Sequence, residues 1–180
     1  MKQASARPLI SLPIATNDGI FMAHYSDQGL VELNFPTGRA GNPLRAVDGR
    51  PLSSIGNPKS AIRNVRSWHR LTETALKKVL AGHAATQLPP LDWTGATPFQ
   101  QSVWRELLKI GCGETRSYGQ IAKAIRNPAA VRAVGGACGA NPIPILVPCH
   151  RVLAAHGRLG GFSGGLDRKR SLLAREGIVL

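Results

Sequence analysis

The sequence predicts an α+β fold in two small domains, from three observations: an early pair of strand-like segments, a long break rich in Pro and Gly, and a C-terminal half of short, capped helices in a helix-turn-helix layout. With 180 residues the chain can bury a core as one domain or two small ones. Gly19-Ile-Phe-Met-Ala-His-Tyr, a turn at Ser26-Asp-Gln-Gly29, and Leu30-Val-Glu-Leu-Asn-Phe35 read as a β-hairpin. From residue 36 to about 60 the pattern is lost among Pro, Gly, Asn and Arg, and this stretch is expected to be loop. Trp68, Leu71, Ala75, Leu76, Val79 and Leu80 then recur at helical spacing from about Ser67, and Gly82 stops that helix. The expected organisation is an N-terminal α/β domain over 1–82 with its loop at 36–66, a Pro-bearing linker over 83–97, and a C-terminal domain over 98–180.

The second half is more regular. Thr97-Pro98 offers an N-cap and a first-turn proline, and Phe99, Val103, Trp104, Leu107 and Leu108 give the following helix an apolar face up to Gly111. Ser117-Tyr-Gly-Gln120 fits a capping box, with Ile121, Ala122 and Ile125 packing a short helix that Asn127-Pro128 breaks. A third helix of small residues follows from Ala129 to Gly139. After it, Val152-Leu153, a turn at Gly157 and Leu159 suggest a small hairpin, and Gly160-Gly-Phe-Ser-Gly-Gly165 a glycine-rich loop that together resemble a wing. A last helix runs from Leu166 to Glu176, with Asp167 as candidate cap and Gly177 at its end.

Net charge is +13, and the shorter C-terminal part is the more basic: residues 98–180 carry 12 basic and 4 acidic side chains against 11 and 6 in residues 1–97. Such an excess suits a polyanionic partner. Three cysteines, Cys112, Cys138 and Cys149, lack C-x-x-C spacing and are odd in number, which argues against a disulfide framework and for a reducing compartment, cytoplasmic or, in a eukaryote, nuclear. The N-terminal run Pro8-Leu-Ile-Ser-Leu-Pro-Ile-Ala is too short and too proline-bearing for a signal peptide or a membrane span.

The most informative motif is Pro148-Cys149-His150-Arg151, preceded by Asn141-Pro-Ile-Pro-Ile-Leu-Val. Prolines fix φ and restrict the residue before them, so the thiol sits in a stiff, apolar segment with an imidazole next to it. A thiol with a nearby base is the minimum for a cysteine nucleophile; a buried inert Cys beside a surface His is the blander alternative. The helix from Ala129 to Gly139 is equally unusual. Ala129, Ala130, Ala133, Gly135, Gly136, Ala137 and Gly139 leave little bulk, and Arg132 is its one long cationic side chain. Either the helix packs tightly against its neighbours, or its smooth face enters a nucleic-acid groove where Arg132 can fill the gap left by an extruded base.

Taken together, these motifs resemble the O6-alkylguanine-DNA alkyltransferases (methylated-DNA-protein-cysteine methyltransferases). The resemblance runs from Thr97 to Gly177 through Ser117-Tyr118-Gly-Gln-Ile-Ala, Arg132-Ala-Val-Gly-Gly-Ala, Asn141 to Val152, Phe162-Ser-Gly-Gly-Leu166 and Lys169 to Glu176. It implies an N-terminal domain resembling ribonuclease H and a C-terminal winged helix-turn-helix domain. By the same resemblance Cys149 accepts the alkyl group, His150 and Glu176 form a water-linked relay favouring the thiolate, Tyr118 donates a hydrogen bond to the flipped guanine, and Asn141 braces the active-site segment. Arg132 acts as the intercalating finger, Ser117, Ala133, Gly135 and Arg151 contact DNA, and Pro144, Val152, Phe162, Ser163 and Gly164 line the pocket. The implied activity is a single-turnover, self-inactivating transfer from O6-alkylguanine in double-stranded DNA to Cys149, without cofactor, by a protein expected to be monomeric; O4-methylthymine as a second substrate and cooperativity on DNA are left open.

The chain departs from the family in two places. The N-terminal half has no Cys, so the structural zinc of some members is not expected from His24, His69 and His83, and Phe162 stands where many members carry Tyr. Two rivals are weaker. Gly161-Phe-Ser-Gly-Gly165 satisfies G-x-S-x-G, but that hydrolase fold needs a histidine after the serine and the last one here is His156. A winged-helix transcription factor would leave Cys149 inert, yet its recognition helix should carry several base-reading side chains, and this one offers essentially Arg132. A lesion-recognition relative without transferase activity would lack the cysteine, and Cys149 is present.

Overall fold

A computed structural model describes residues 10–36 and 58–180, with the side chains of 58–63 left aside. The chain divides into two units, and both are mixtures of helix and strand. Among the described residues the first holds 10–36, 58–73 and 88–92, and the second holds 74–87 and 93–180.

The first unit is built on a three-stranded antiparallel sheet in the order β1-β2-β3: β1 Ile10–Thr16, β2 Gly19–Tyr25 and β3 Leu30–Asn34. The hairpin expected from the sequence is β2 and β3, closed by Ser26 N donating to Gly29 O at 2.9 Å, with a register shift at His24/Tyr25. Strand β1 was not expected, because Pro13 lies in it. Proline removes a ladder donor and is tolerated on an edge, and β1 is an edge strand, its register pairing Pro13 with Met22. Helix α1, Pro58–Leu80, begins nine residues before the expected start at Ser67, so the last part of the stretch read as loop is helical. Pro58 suits a first helical turn, and the early turns lack the dense apolar spacing that marks 68–80. The rest of the loop, residues 37–57, lies outside the described residues.

The second unit contains the end of α1, stopped at Gly82 in the left-handed region (φ +80°), where a side chain would collide with the carbonyl of Arg175. Helix α2 spans Pro98–Leu107, three residues short of the expected reach towards Gly111, with the Thr97/Gln100 capping box formed. Strand β4, Arg116–Ser117, leads directly into α3, Tyr118–Ala124, capped by the Ser117/Gln120 box. Helix α4, Val131–Gly139, begins after Asn127-Pro128. Trp104 Nε1 donates to Ala137 O at 2.8 Å, tying α4 to α2.

Two local expectations need correcting. Val152-Leu153 forms β5, but it pairs in parallel with β4 instead of folding back as a hairpin; Ala155–Gly157 is a 3-10 turn that carries the chain away. Helix α5, Leu166–Arg175, starts at the Gly165 cap, so Asp167 lies inside the first turn and pairs with Arg170 at 2.9 Å instead of capping. Asp167 there still suits the positive end of the helix dipole.

Candidate active site and nucleic-acid interface

The site lies wholly within the second unit. Its centre is the segment from Asn141 to Val152, which the prolines shape residue by residue. Pro148 (φ −79°, ψ 63°) is the middle of an inverse γ-turn, with Cys149 N donating to Val147 O at 2.7 Å. Ile145 is held at φ 74°, a costly conformation for a β-branched residue. Asn141 holds the bend in place: its Oδ1 accepts from Ile143 N at 3.1 Å, and its Nδ2 donates to Val147 O at 2.8 Å and to Cys149 Sγ at 3.2 Å. Asn141 therefore both braces the segment and offers the sulfur a hydrogen bond. Pro144, Cys149 and Val152 are all buried.

A 3-10 turn, Cys149–Arg151, turns His150 inward, where it is fully buried. Its Nε2 lies 3.0 Å from Glu176 Oε1, on the last residue before Gly177 ends α5. Glu176 is also gripped by Arg151, whose Nε and Nη2 donate to the two carboxylate oxygens at 2.9 Å each, while Nη1 donates to Ile110 O at 2.7 Å. Burial works against the Glu176 charge, but the His150 and Arg151 hydrogen bonds and the nearby positive charge outweigh it and hold the carboxyl at about 2. Burial lowers the basicity of His150, against the pull of Glu176, so the imidazole rests neutral. A carboxylate only accepts, so we assign the ring proton to Nε2, which leaves a lone pair on Nδ1. Nδ1 is buried and has no hydrogen-bond partner among the described residues.

Burial pushes the Cys149 thiol up, while the Asn141 hydrogen bond and then the charge of Lys169 favour its ionised form. Tyr118 opens α3 half-buried. Its phenol is also pushed up, first by burial and then by the charges of Cys138 and Cys149, so it stays a proton donor. Phe162 packs its ring against His150 at 6.3 Å and 71° between planes, an edge-to-face contact. Gly164 uses its carbonyl to accept from Arg168 at 3.2 Å, and Ser163 is exposed in the turn closed by Gly165 N donating to Phe162 O.

The two readings of the small-residue helix are separated by α4 itself. Val134, Ala137 and Cys138 face inward, while Arg132, Ala133, Gly136 and Gly139 are exposed. A Cβ added to Gly136 or Gly139 would meet nothing within 4 Å, and one on Gly135 would only reach Tyr118 at 4.0 Å. Tight packing within the described residues does not explain these glycines. They leave a smooth, open surface with Arg132 at one end and Tyr118 beside it.

Comparison with known proteins agrees with this geometry. Residues 98–178 match the family model described as the DNA-binding domain of 6-O-methylguanine DNA methyltransferase. The chain is 49% identical over 109 residues to the methylated-DNA-protein-cysteine methyltransferase of Salmonella typhimurium, covering 58% of this chain and 64% of that one. It is 60% identical over 86 residues to the protein of the same name from Mycobacterium tuberculosis, covering 48% and 52%. These sequence matches thus span between half and two thirds of the curated relatives. The crystal structure of the M. tuberculosis OGT in complex with DNA superposes with a TM-score of 0.66 at 36% identity, covering 92% of this chain and 91% of that one. The chain belongs to the O6-methylguanine DNA methyltransferase family.

Within this family frame the structure revises one expected role and adds a residue. Arg151, expected to contact DNA, is buried and spends its guanidinium on Glu176 and Ile110, so it is not presented to a nucleic acid. Ser117 spends its hydroxyl capping α3, accepting from Gln120 N at 3.1 Å. The residue not foreseen is Lys169, fully buried, with its Nζ 2.6 Å from Val152 O. A signal for it was present: Lys169, Leu172, Leu173 and Glu176 share one helical face, with a charge at either end of an apolar stripe. Among the described residues no group of three or more His, Cys, Asp or Glu side chains is placed to hold a metal ion. No described helix is long and apolar enough to cross a membrane.

Proposed function

We propose that this protein repairs DNA by moving the alkyl group of O6-alkylguanine in a duplex onto Cys149, once per molecule. The observation that carries the reading is the buried thiol of Cys149, hydrogen-bonded by Asn141 and next in the chain to an imidazole whose free nitrogen has no partner among the described residues. The open glycine face of α4 and the positive charge of the second half supply a surface for the duplex, where phosphate contacts give most of the affinity. Arg132 occupies the stack position of the extruded base, while Phe162, Ser163, Gly164, Pro144 and Val152 surround that base.

In the reaction, His150 Nδ1 takes the thiol proton as guanine is engaged, and its Nε2–H remains on Glu176. The Cys149 sulfur attacks the alkyl carbon in line with the carbon–oxygen bond, and the released electron pair passes into the guanine ring. Tyr118 supplies a proton to the ring at that moment, and proton exchange with solvent restores the phenol and the neutral imidazole. The net change is thiol plus O6-alkylguanine giving thioether plus guanine. Nothing in the site removes the alkyl group from sulfur, so the protein ends modified. The free cysteines fit a reducing, cytoplasmic setting, and a monomer supplies every group required.

The test compares Arg132→Ala with the unsubstituted protein on duplex O6-methylguanine and on the free alkylated base. Repair of the duplex should slow roughly tenfold or more while reaction with the free base is unchanged. Equal slowing of both would remove Arg132 from base extrusion.

A further inference from the structure

Lys169 has no part in the steps above, yet it is a fully buried cation, and burying a charge is costly. A buried ammonium is retained only where strong acceptors compensate its lost hydration. Its acceptors are backbone carbonyls: Val152 O at 2.6 Å, and Gly160 O and Gly161 O at 3.5 Å each. Val152 follows directly on the 3-10 turn that carries Cys149, and Gly160 and Gly161 open the glycine-rich loop. One ammonium therefore ties the acceptor segment to the loop from beneath.

Both tied points lead to Tyr118. Gly160 lies directly on the phenol: a Cβ there would overlap Tyr118 Oη and come within 2.7 Å of its Cε2. Val152 pairs with Arg116 across β5 and β4, and Tyr118 is the first residue after β4. We propose that Lys169 is a positioning residue that sets the Tyr118 phenol relative to Cys149, by holding Gly160 against its ring and Val152 against the strand that precedes it. The mutual stabilisation of the Lys169 charge and the Cys149 thiolate is consistent with the same arrangement, since it places the ammonium near the sulfur.

This inference rests on the alkyl-transfer reading for its kinetic consequence but not for its structural one, and the experiment separates them. The chain has two tyrosines, Tyr25 in the first unit and Tyr118 in the second. With 3-fluorotyrosine incorporated, Lys169→Met should shift or broaden the Tyr118 fluorine resonance and leave that of Tyr25 unchanged. Methyl transfer from an O6-methylguanine duplex should fall by roughly tenfold to a hundredfold in Lys169→Met. The further fall on adding Lys169→Met to Tyr118→Phe should be less than about twofold, because the two act through one group. A Tyr118 resonance left in place, or equal losses in both backgrounds, overturns the proposal. Should Lys169→Met fail to fold, Lys169→Gln, polar but too short and uncharged to bridge the same carbonyls, gives the same test: an unmoved Tyr118 resonance there also overturns it. If the unsubstituted protein transfers no methyl at all, the functional reading fails while the fluorine spectra still decide the positioning role.

Discussion

In the first unit His24 lies buried in the sheet with both ring nitrogens bonded, Nδ1 to Ser11 Oγ at 2.7 Å and Nε2 to Asn34 Nδ2 at 3.1 Å. In the second, His150 is more deeply buried but among the described residues is bonded on one nitrogen only, through Glu176. The polar groups around them differ in the same sense. Near His24 and Tyr25 the partners are hydroxyls, an amide and another imidazole, as where Tyr25 Oη donates to Thr72 Oγ1 at 2.8 Å. Around His150 the buried set is charged: Glu176, Arg151 and Lys169. A satisfied neutral network specifies a core, whereas buried charge with a spare lone pair holds a reactive group ready.

The largest expected effect tests that contrast on the histidines. His150→Gln should slow methyl transfer by roughly a hundredfold to ten-thousandfold, as for loss of a general base, while His24→Gln leaves the transfer rate of folded protein unchanged. Similar slowing by both would erase the distinction. Next comes stability. Glu176→Leu leaves Arg151 and His150 buried without their carboxylate and should lower the unfolding free energy in urea by about 3–5 kcal/mol. A loss under about 1 kcal/mol would mean that water already reaches the cluster.

Acid should expose a two-step loss. His24 and His150 are both held below the free imidazole value, so below about pH 6.5 the unfolded chain takes up protons first and stability starts to fall in both units. Glu176 is depressed to about 2, so its contribution is complete above the unfolded carboxyl value of roughly 4.3 and is lost as the pH falls from there towards 2. Urea titrations across this range should show the lower slope disappear in Glu176→Gln and the upper slope persist; an unchanged lower slope contradicts the assignment. The smallest effect belongs to the first unit, where Tyr25→Phe should cost about 1–2 kcal/mol for the two neutral hydrogen bonds of its hydroxyl, to Thr72 and His69.

Local chemistry was legible where it is written in adjacent residues. The Thr97 N-cap, the Ser117/Gln120 capping box, the β2–β3 hairpin, the break at Asn127-Pro128 and the stops at Gly82 and Gly177 depend on side chains a few positions apart. What escaped the sequence depends on distant partners. Strand β1 hides behind Pro13 because only the sheet order reveals it as an edge. The parallel pairing of β5 with β4 joins segments 36 residues apart, which no turn signal announces. Arg151 reads as a surface cation until Glu176 and Ile110 are brought to it, and Lys169 reads as an exposed helix lysine until the carbonyls of Val152 and the glycine-rich loop close over it. The candidate groups were thus named from adjacent residues, while their buried electrostatics came only with the fold.

The central claim is that Cys149 is an alkyl acceptor used once. The direct measurement incubates the protein with a molar excess of a duplex bearing one O6-methylguanine, then maps the cysteine peptides by mass spectrometry and counts repaired DNA. The account predicts one methyl group on Cys149, none on Cys112 or Cys138, and one repaired base per protein molecule. An unmodified Cys149, a methyl on another cysteine, or continued repair beyond one base per molecule would contradict it.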